Sequence, residues 1–394
     1  MGDNMNVGFV GVGNLGKDAA EVMARHYDVV GYDIEGVYTS ITMAHTLEGA
    51  CINKDIIFVA LPTPHHPDYD GRYPTSHLPP KDFDYSIVKE MIEKIDRLVS
   101  KDTLIVLIST VLPGTIRREI APLIKNGRFI YNPYLIAQGT VKQDMVNPEM
   151  IIIGTKTGGW FDDVVFLKEF YDKFVEKDTR FEIGTWEEAE GIKIFYNTFI
   201  STKLALVNMI ADVAEGVGNM NVDVVTDALK RSTMRIMGPR YMNAGLGDGG
   251  ACHPRDNIAL RSLADRLNLG YDIFDAIMLA REKQAEHMAR KIMGLGHDVC
   301  ILGKGFKPGV DQEAGSPAIL VGYYLEKWGR TVYYDGHPQE VTVPLTYVMH
   351  HHDTYRGFKF NSGSTIFDPF GKTEQQSGLT ERSIIVYNYG RAHV

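Results

Sequence analysis

Cys252 is set in surroundings that suit chemistry better than packing. It follows Gly247-Asp248-Gly249-Gly250, and Pro254 after it fits the first turn of a helix. A cysteine at a helix N-terminus is biased toward thiolate by the partial positive charge of the free N–H groups. Gly249 and its neighbours make a bend that lets a ligand come close, and Asp256 projects from the same side one turn later. Such a thiolate is suited to attack an electron-poor carbon and to leave again. Cys51 and Cys300 lie in apolar or strand-like runs and read as buried core thiols. A second pair, Lys193 and Asn197, is spaced i, i+4, so an ammonium and an amide can face one ligand from one helix face. The third group is Gly11-Val12-Gly13-Asn14-Leu15-Gly16, between a strand-like run and a helix-like one. These glycines allow a tight turn and a close approach of backbone to a pyrophosphate, whose charge the helix N-terminus stabilises. Asp33 follows Gly11 by 22 residues and ends the second strand, where a carboxylate accepts both ribose hydroxyls and repels a 2′-phosphate. NAD rather than NADP is therefore the expected cofactor. Ser109 and Thr110 close the fourth strand, at the edge where ligands of such sheets bind.

Short apolar runs must position these groups. Val7–Val10, Val29–Tyr32, Ile56–Leu61, Leu104–Ile108, Phe129–Tyr131, Met150–Ile153 and Phe181–Ile183 alternate with helix-like segments, which predicts a parallel sheet covered on both faces. From Glu187 to about Gly216 apolar residues recur at helical spacing on several faces, predicting one long helix buried on more than one side. Further helix is expected over Asp223–Lys230 and Asn257–Arg290. A second α/β pattern starts at His297, with strands at Val299–Gly303, Thr331–Asp335, Tyr347–Met349, Ser364–Phe367 and Ser383–Val386, and a helix over Ser316–Trp328. The expected fold class is thus α/β, two Rossmann-like doubly wound domains (1–185 and 297–394) joined by a central helical domain (186–296).

At 394 residues the chain is long enough for two or three domains, and its net charge of −9 with no Lys/Arg run argues against nucleic acid as a partner. No apolar stretch reads as long enough to span a bilayer, so no membrane partner is expected. The first residues run straight into a strand pattern without a signal-peptide layout, and the odd, scattered cysteines fit a reducing compartment, so the expected location is cytoplasmic. His350-His351-His352 cannot all face one metal from a strand; a structural role and no metal site are expected.

Taken together, these motifs resemble the UDP-glucose/GDP-mannose dehydrogenase family over nearly the whole chain. The likeness runs through Gly11–Gly16, Leu61-Pro62-Thr63-Pro64, Ser109–Thr115, Asn132-Pro133, Lys193 with Asn197, Arg235-Ile236, the Gly249–Asp256 stretch and Gly303-Lys304-Gly305-Phe306-Lys307-Pro308. The resemblance implies oxidation of the C6 alcohol of a nucleotide sugar to a carboxylate with two NAD, UDP-hexoses being the commonest substrates, in a homodimer built on the long helix. It implies that Cys252 captures the intermediate aldehyde, Lys193 stabilises oxyanion charge, and Asp256, Thr110 and Asn197 hold a water or the alkoxide. Pro62 and Thr63 would join the cofactor site. Tyr134, Gln138, Arg235, Gly249, Phe306 and Lys307 would line the substrate site, with Arg235 reaching a neighbouring subunit.

Two departures bear on that chemistry. Tyr134 and Gln138 stand where the family carries glutamates, and an amide orients water without accepting its proton at neutral pH. Phe370 follows Asp368-Pro369 where the family has an arginine. Two competing readings follow: a related dehydrogenase for another anionic alcohol that stops at the aldehyde or uses a different base, and a homologue that binds without turnover.

Overall fold

The computed structural model describes residues 5–64, 79, 82–136, 139–176, 178–217, 219–238, 244–246, 254, 257, 261, 263–374 and 377–389. The chain divides into two compact units, 1–201 and 202–394.

Unit 1 is a sheet of eight strands: β1 (Asn6–Val10), β2 (Asp28–Tyr32), β3 (Thr42–Met43), β4 (Ile56–Val59), β5 (Leu104–Leu107), β6 (Arg128–Tyr131), β7 (Ile151–Thr155) and β8 (Phe181–Thr185). Their order is β3-β2-β1-β4-β5-β6-β7-β8. The central strands are almost wholly apolar because their residues enter one of two cores, the exposed Asn6 at the start of β1 excepted. Phe9, Phe58, Val106 and Ile130 face α1 (Asn14–Met23) and α5 (Asp162–Tyr171). Val10, Ile57, Val59, Ile105 and Leu107 face α2 (Leu47–Cys51) and α3 (Ser86–Leu98). Sequence order reverses between β1 and β4, which opens a crevice at their carboxyl ends.

The expectation of a wholly parallel sheet is corrected at β7. It pairs antiparallel with β6 through Tyr131 and Gly154, and β8 then runs parallel to β7. The connection that carries Tyr134 and α4 (Val141–Val146) therefore leaves the carboxyl edge of β6 and re-enters the sheet at that same edge.

The long helix is α6 (Trp186–Val217), 32 residues. By length and composition alone it is apolar enough to cross a membrane, which corrects the expectation that no stretch would qualify. Its first turns are anchored in unit 1, where Trp186, Ala189 and Glu190 are buried.

In unit 2, α7 (Val222–Lys230) is capped by Asn221, whose side chain accepts from the Asp223 N–H at 2.8 Å. The helix expected over Asn257–Arg290 is interrupted. Asn268 and Gly270 take positive φ, and Asp272 caps a new helix, α8 (Ile273–Met293), by accepting from the Asp275 N–H. The apolar periodicity carried through that break, so sequence spacing alone hid it. The second sheet, β9 (Val299–Leu302), β10 (Val332–Tyr334), β11 (Thr346–Met349), β12 (Thr365–Asp368) and β13 (Ile385–Asn388), has the order β10-β9-β11-β12-β13 with parallel neighbours throughout. α8 and α9 (Pro317–Lys327) cover one face of it. Ser316 caps α9 and Pro317 opens it, as its type predicts.

Candidate active site

The glycine turn after β1 is shaped by two positions that admit no side chain. At Gly11, φ is +94° and a Cβ would stand 2.4 Å from the Ala60 carbonyl oxygen; at Gly16 it would stand 2.0 Å from that of Gly11. Gly13 differs: a Cβ there would meet nothing within 4 Å, so its backbone faces open space at the N-terminus of α1. No side chain caps that terminus, which leaves N–H groups for an anion. One Asp33 oxygen accepts from the Val12 N–H at 2.8 Å and the other from the Glu35 N–H at 3.0 Å. The carboxylate thus holds the glycine turn against the end of β2.

A cavity of about 490 Å³ opens from this turn, walled by Gly13, Leu15, Gly16, Pro62, Thr63, Ser109, Thr110 and Lys193 among others. Its far wall is tied together by hydrogen bonds. Ser109 Oγ donates to the Leu61 carbonyl at 2.6 Å and accepts from the Leu61 N–H, and Thr63 Oγ1 donates to the Thr110 carbonyl at 2.7 Å. The turn, the open space beside Gly13 and the Asp33 carboxylate fit a dinucleotide, and these residues would hold it.

Lys193 stands at the inner end. Its Nζ donates to the Tyr134 carbonyl at 2.6 Å, and burial lowers its pKa from the usual lysine value. It also lines a second cavity of about 470 Å³, with Asn197, Tyr196, Thr140, Asn147, Glu149 and Ile200. The spacing of Lys193 and Asn197 therefore does bring both to one cavity, and Lys193 borders the cofactor cavity as well.

Tyr134 also lines the cavity beside Lys193. Its phenol is buried, bonded to the Tyr171 hydroxyl at 2.8 Å; Tyr171 in turn donates to Asn132 Oδ1, and Asn132 Nδ2 donates to the Ile152 carbonyl at 2.6 Å. Burial pushes the phenol's pKa upward, so it stays protonated. The side chain is committed to this network, and the backbone carbonyl is what reaches Lys193. A glutamate would have set a charge among these groups; tyrosine avoids that cost.

Glu190 escaped the sequence reading, although it precedes Lys193 by three residues and Asn197 by seven, a same-face spacing. It is fully buried and accepts from the Gly114 N–H at 2.5 Å and the Ile116 N–H at 2.6 Å. Burial raises its pKa, against the pull of the two N–H bonds.

Cys252, Asp256, Gln138 and Gly249 lie outside the described residues. In unit 2, Arg235 is exposed on the turn after α7. Phe306 and Lys307 sit in the loop after β9, pinned by the Phe306 N–H to the Gln312 carbonyl at 3.0 Å, with the Lys307 ammonium 5.4 Å from the centre of the Phe306 ring. Two of the three histidines pack at Gly303 and the third reaches Asp368. His350 Nδ1 donates to the Gly303 carbonyl at 2.7 Å, the His351 ring packs on Gly303, and His352 Nε2 lies 2.9 Å from Asp368. Asp368 further accepts from the N–H groups of Phe370, Gly371, Lys372 and Thr373, so it organises its own loop, while Phe370 packs on His350 and against Gly245. Cys51 and Cys300 are buried, with thiol pKa values pushed up to about 12. Among the described residues no cluster of metal-ligating side chains occurs.

Known families bear on this arrangement. The NAD binding domain of the UDP-glucose/GDP-mannose dehydrogenase family matches residues 37–175, and the central domain of the same family matches residues 187–282; the two span more than half the chain. The chain belongs to the UDP-glucose/GDP-mannose dehydrogenase family. Similar proteins include a UDP-glucose 6-dehydrogenase of Rickettsia prowazekii, 26% identical over 80% of this chain and 77% of the relative. Another is the UDP-glucose 6-dehydrogenase TuaD of Bacillus subtilis, 26% identical over 74% of this chain and 61% of the relative. A crystal structure of a GDP-mannose dehydrogenase from Pseudomonas aeruginosa shares the fold, with a TM-score of 0.80 at 19% identity, covering 97% of this chain and 99% of that one. As a member of this family the protein is an NAD-dependent oxidoreductase acting on CH–OH donors.

Proposed function

We propose that the protein oxidises the C6 alcohol of a nucleotide sugar, a UDP-hexose first among them, to the carboxylate. The observation that carries this reading is Lys193, whose ammonium borders the dinucleotide cavity on one side and the Asn197 cavity on the other. An alcohol in the second cavity would meet a fixed positive charge just where oxidation develops negative charge on oxygen. NAD, when bound, accepts a hydride in each of the two oxidations that an acid requires. Asn197 and Thr110 orient the oxygen, with Asp256. The thiolate of Cys252 forms a C–S bond to the aldehyde carbon, and the alkoxide so made takes up a proton. Loss of that proton to solvent and of a hydride to the bound cofactor would leave a thioester; water then breaks the C–S bond, giving the carboxylate, restoring the thiolate and releasing two protons to solvent.

Tyr134 supports a distinct second reading. Its buried phenol supplies no base for the hydrolysis, so release of aldehyde, or a stalled thioester, is the alternative outcome. The experiment is incubation of the pure protein with NAD and a panel of nucleotide sugars, counting NADH and identifying products by mass spectrometry. Two NADH per carboxylate support the full reaction. One NADH with free aldehyde, or an acyl adduct on Cys252, supports the second reading; no turnover and no NAD-dependent labelling of Cys252 indicate a binding protein. Cys252→Ala abolishes acid formation, and an active variant refutes the covalent route.

The acting form is proposed to be a cytoplasmic homodimer built on the central segment 186–296. Supporting this, α6 leaves Phe195 65%, Phe199 49% and Ile200 42% exposed.

A further inference from the structure

We infer that Glu190 is a positioning residue that locks the Thr110 turn to the helix face carrying Lys193 and Asn197. The turn from Ser109 to Ile116 leaves β5 and must present Thr110 to the cofactor cavity. At its start it is tied to the neighbouring strand end, where Thr63 donates to the Thr110 carbonyl. At its far end Gly114 takes φ +89°, and the two N–H groups that follow β5 into the next helical turn, those of Gly114 and Ile116, find no backbone acceptor there. Glu190 supplies both acceptors from α6, at 2.5 and 2.6 Å.

A carboxylate is the side chain this geometry requires. Two donors converge on two oxygens, and an amide would turn its NH₂ toward one N–H. The group is fully buried, so keeping it charged is costly, and the two short N–H bonds offset that cost. Positions 190, 193 and 197 share one helix face. The Glu190 bonds therefore fix the rotation of that face relative to the turn, and with it the relation of Lys193 to Thr110 across the cavity. The neighbouring Glu187 pairs with Arg117 on the surface and grips the same segment from outside, where solvent weakens the attachment.

The test uses the full-length protein with Glu190→Gln and Glu190→Asp. Hydrogen exchange of the peptide spanning residues 110–118 is expected to quicken about tenfold at Gly114 and Ile116 in Glu190→Gln, and less in Glu190→Asp, which keeps the charge. With UDP-glucose as probe, kcat is expected to fall about tenfold in Glu190→Gln while KM for NAD stays within about twofold. Since Glu190 acts through the Thr110 turn, its loss is expected to cost little more in a Thr110→Val background. Unchanged exchange overturns the inference, as does an independent, multiplying loss in the double variant. Should Glu190→Gln fail to fold, the same comparisons are made with Glu190→Asp. The kinetic arm rests on the nucleotide-sugar reading, and the exchange arm does not. A wild type inert toward UDP-glucose therefore counts against that reading, while exchange still decides the role of Glu190.

Discussion

Lys193 and Asp33 are single side chains whose settings lead to measurable consequences. Burial lowers the Lys193 pKa, so the ammonium, proposed to stabilise oxyanion charge, is lost, as pH rises, earlier than for an exposed lysine. The alkaline limb of the kcat profile is expected below the ordinary lysine range. Lys193→Met should reduce kcat by roughly 10²–10³-fold with little change in KM for NAD; a variant that keeps its rate removes Lys193 from the chemistry. Asp33 holds the Val12 N–H, and we propose that with cofactor bound it also meets the ribose. Asp33→Ser should raise KM for NAD by about tenfold and narrow the preference over NADP, checked by steady-state kinetics with both. The Gly-x-Gly-x-x-Gly spacing and Asp33 were legible because their backbone needs are local. The task of Tyr134 was not, since the partner of its phenol, Tyr171, comes from α5, 37 residues along the chain.

Helices and strands carry a second kind of consequence. At the carboxyl end of β11, His350 is buried and its pKa is lowered to about 4, chiefly by desolvation. The unfolded chain binds a proton near pH 6.5 and the folded chain does not, so stability is complete above that pH and is lost as pH falls from 6.5 toward 4. His350→Asn keeps a donor for the Gly303 carbonyl and removes the titration. The difference in Tm between wild type and variant is expected to change over that window and to stay level above it. A constant difference refutes the assignment. Between α1 and α4, Glu21 takes Lys142 at 2.7 Å and its pKa is lowered to about 2. Its contribution is present above pH 4.5 and lost as pH falls toward 2, which ties the helix that follows the glycine turn to the connection carrying Tyr134. The break between Leu267 and Asp272 belongs to this scale too: one Asn and one Gly with positive φ end a helix whose apolar spacing reads as continuous.

For the whole molecule, α6 is the element on which the proposed chemistry and the proposed assembly meet. Its first turns hold Glu190 and Lys193 inside unit 1, and the turns that follow expose Phe195 and Phe199. A large aromatic surface on a helix of this length favours association. Phe195→Glu combined with Phe199→Glu should convert the proposed dimer to monomer, measured by light scattering after size exclusion; a wild-type monomer sinks the proposal outright. The same helix passes a membrane-span criterion by length and composition, because an interface helix and a spanning helix both need apolar side chains on many faces.

By itself the sequence determined that one parallel-type sheet precedes and another follows a long helix along the chain, that a glycine turn opens the first of them, and that Lys193 and Asn197 share a face. Periodicity and turn chemistry act over a few residues, so one chain segment contains all the information they need. Tertiary structure alone decided the reversed direction of β7 and β8, the burial of the Tyr134 phenol and the use of its carbonyl, and the reach of Glu190 to Gly114 and Ile116. Each depends on groups far apart in the chain whose pairing is set by packing, and packing is not written in local spacing. The NAD turn announced itself in six residues; the means of holding Thr110 opposite Lys193 required the fold.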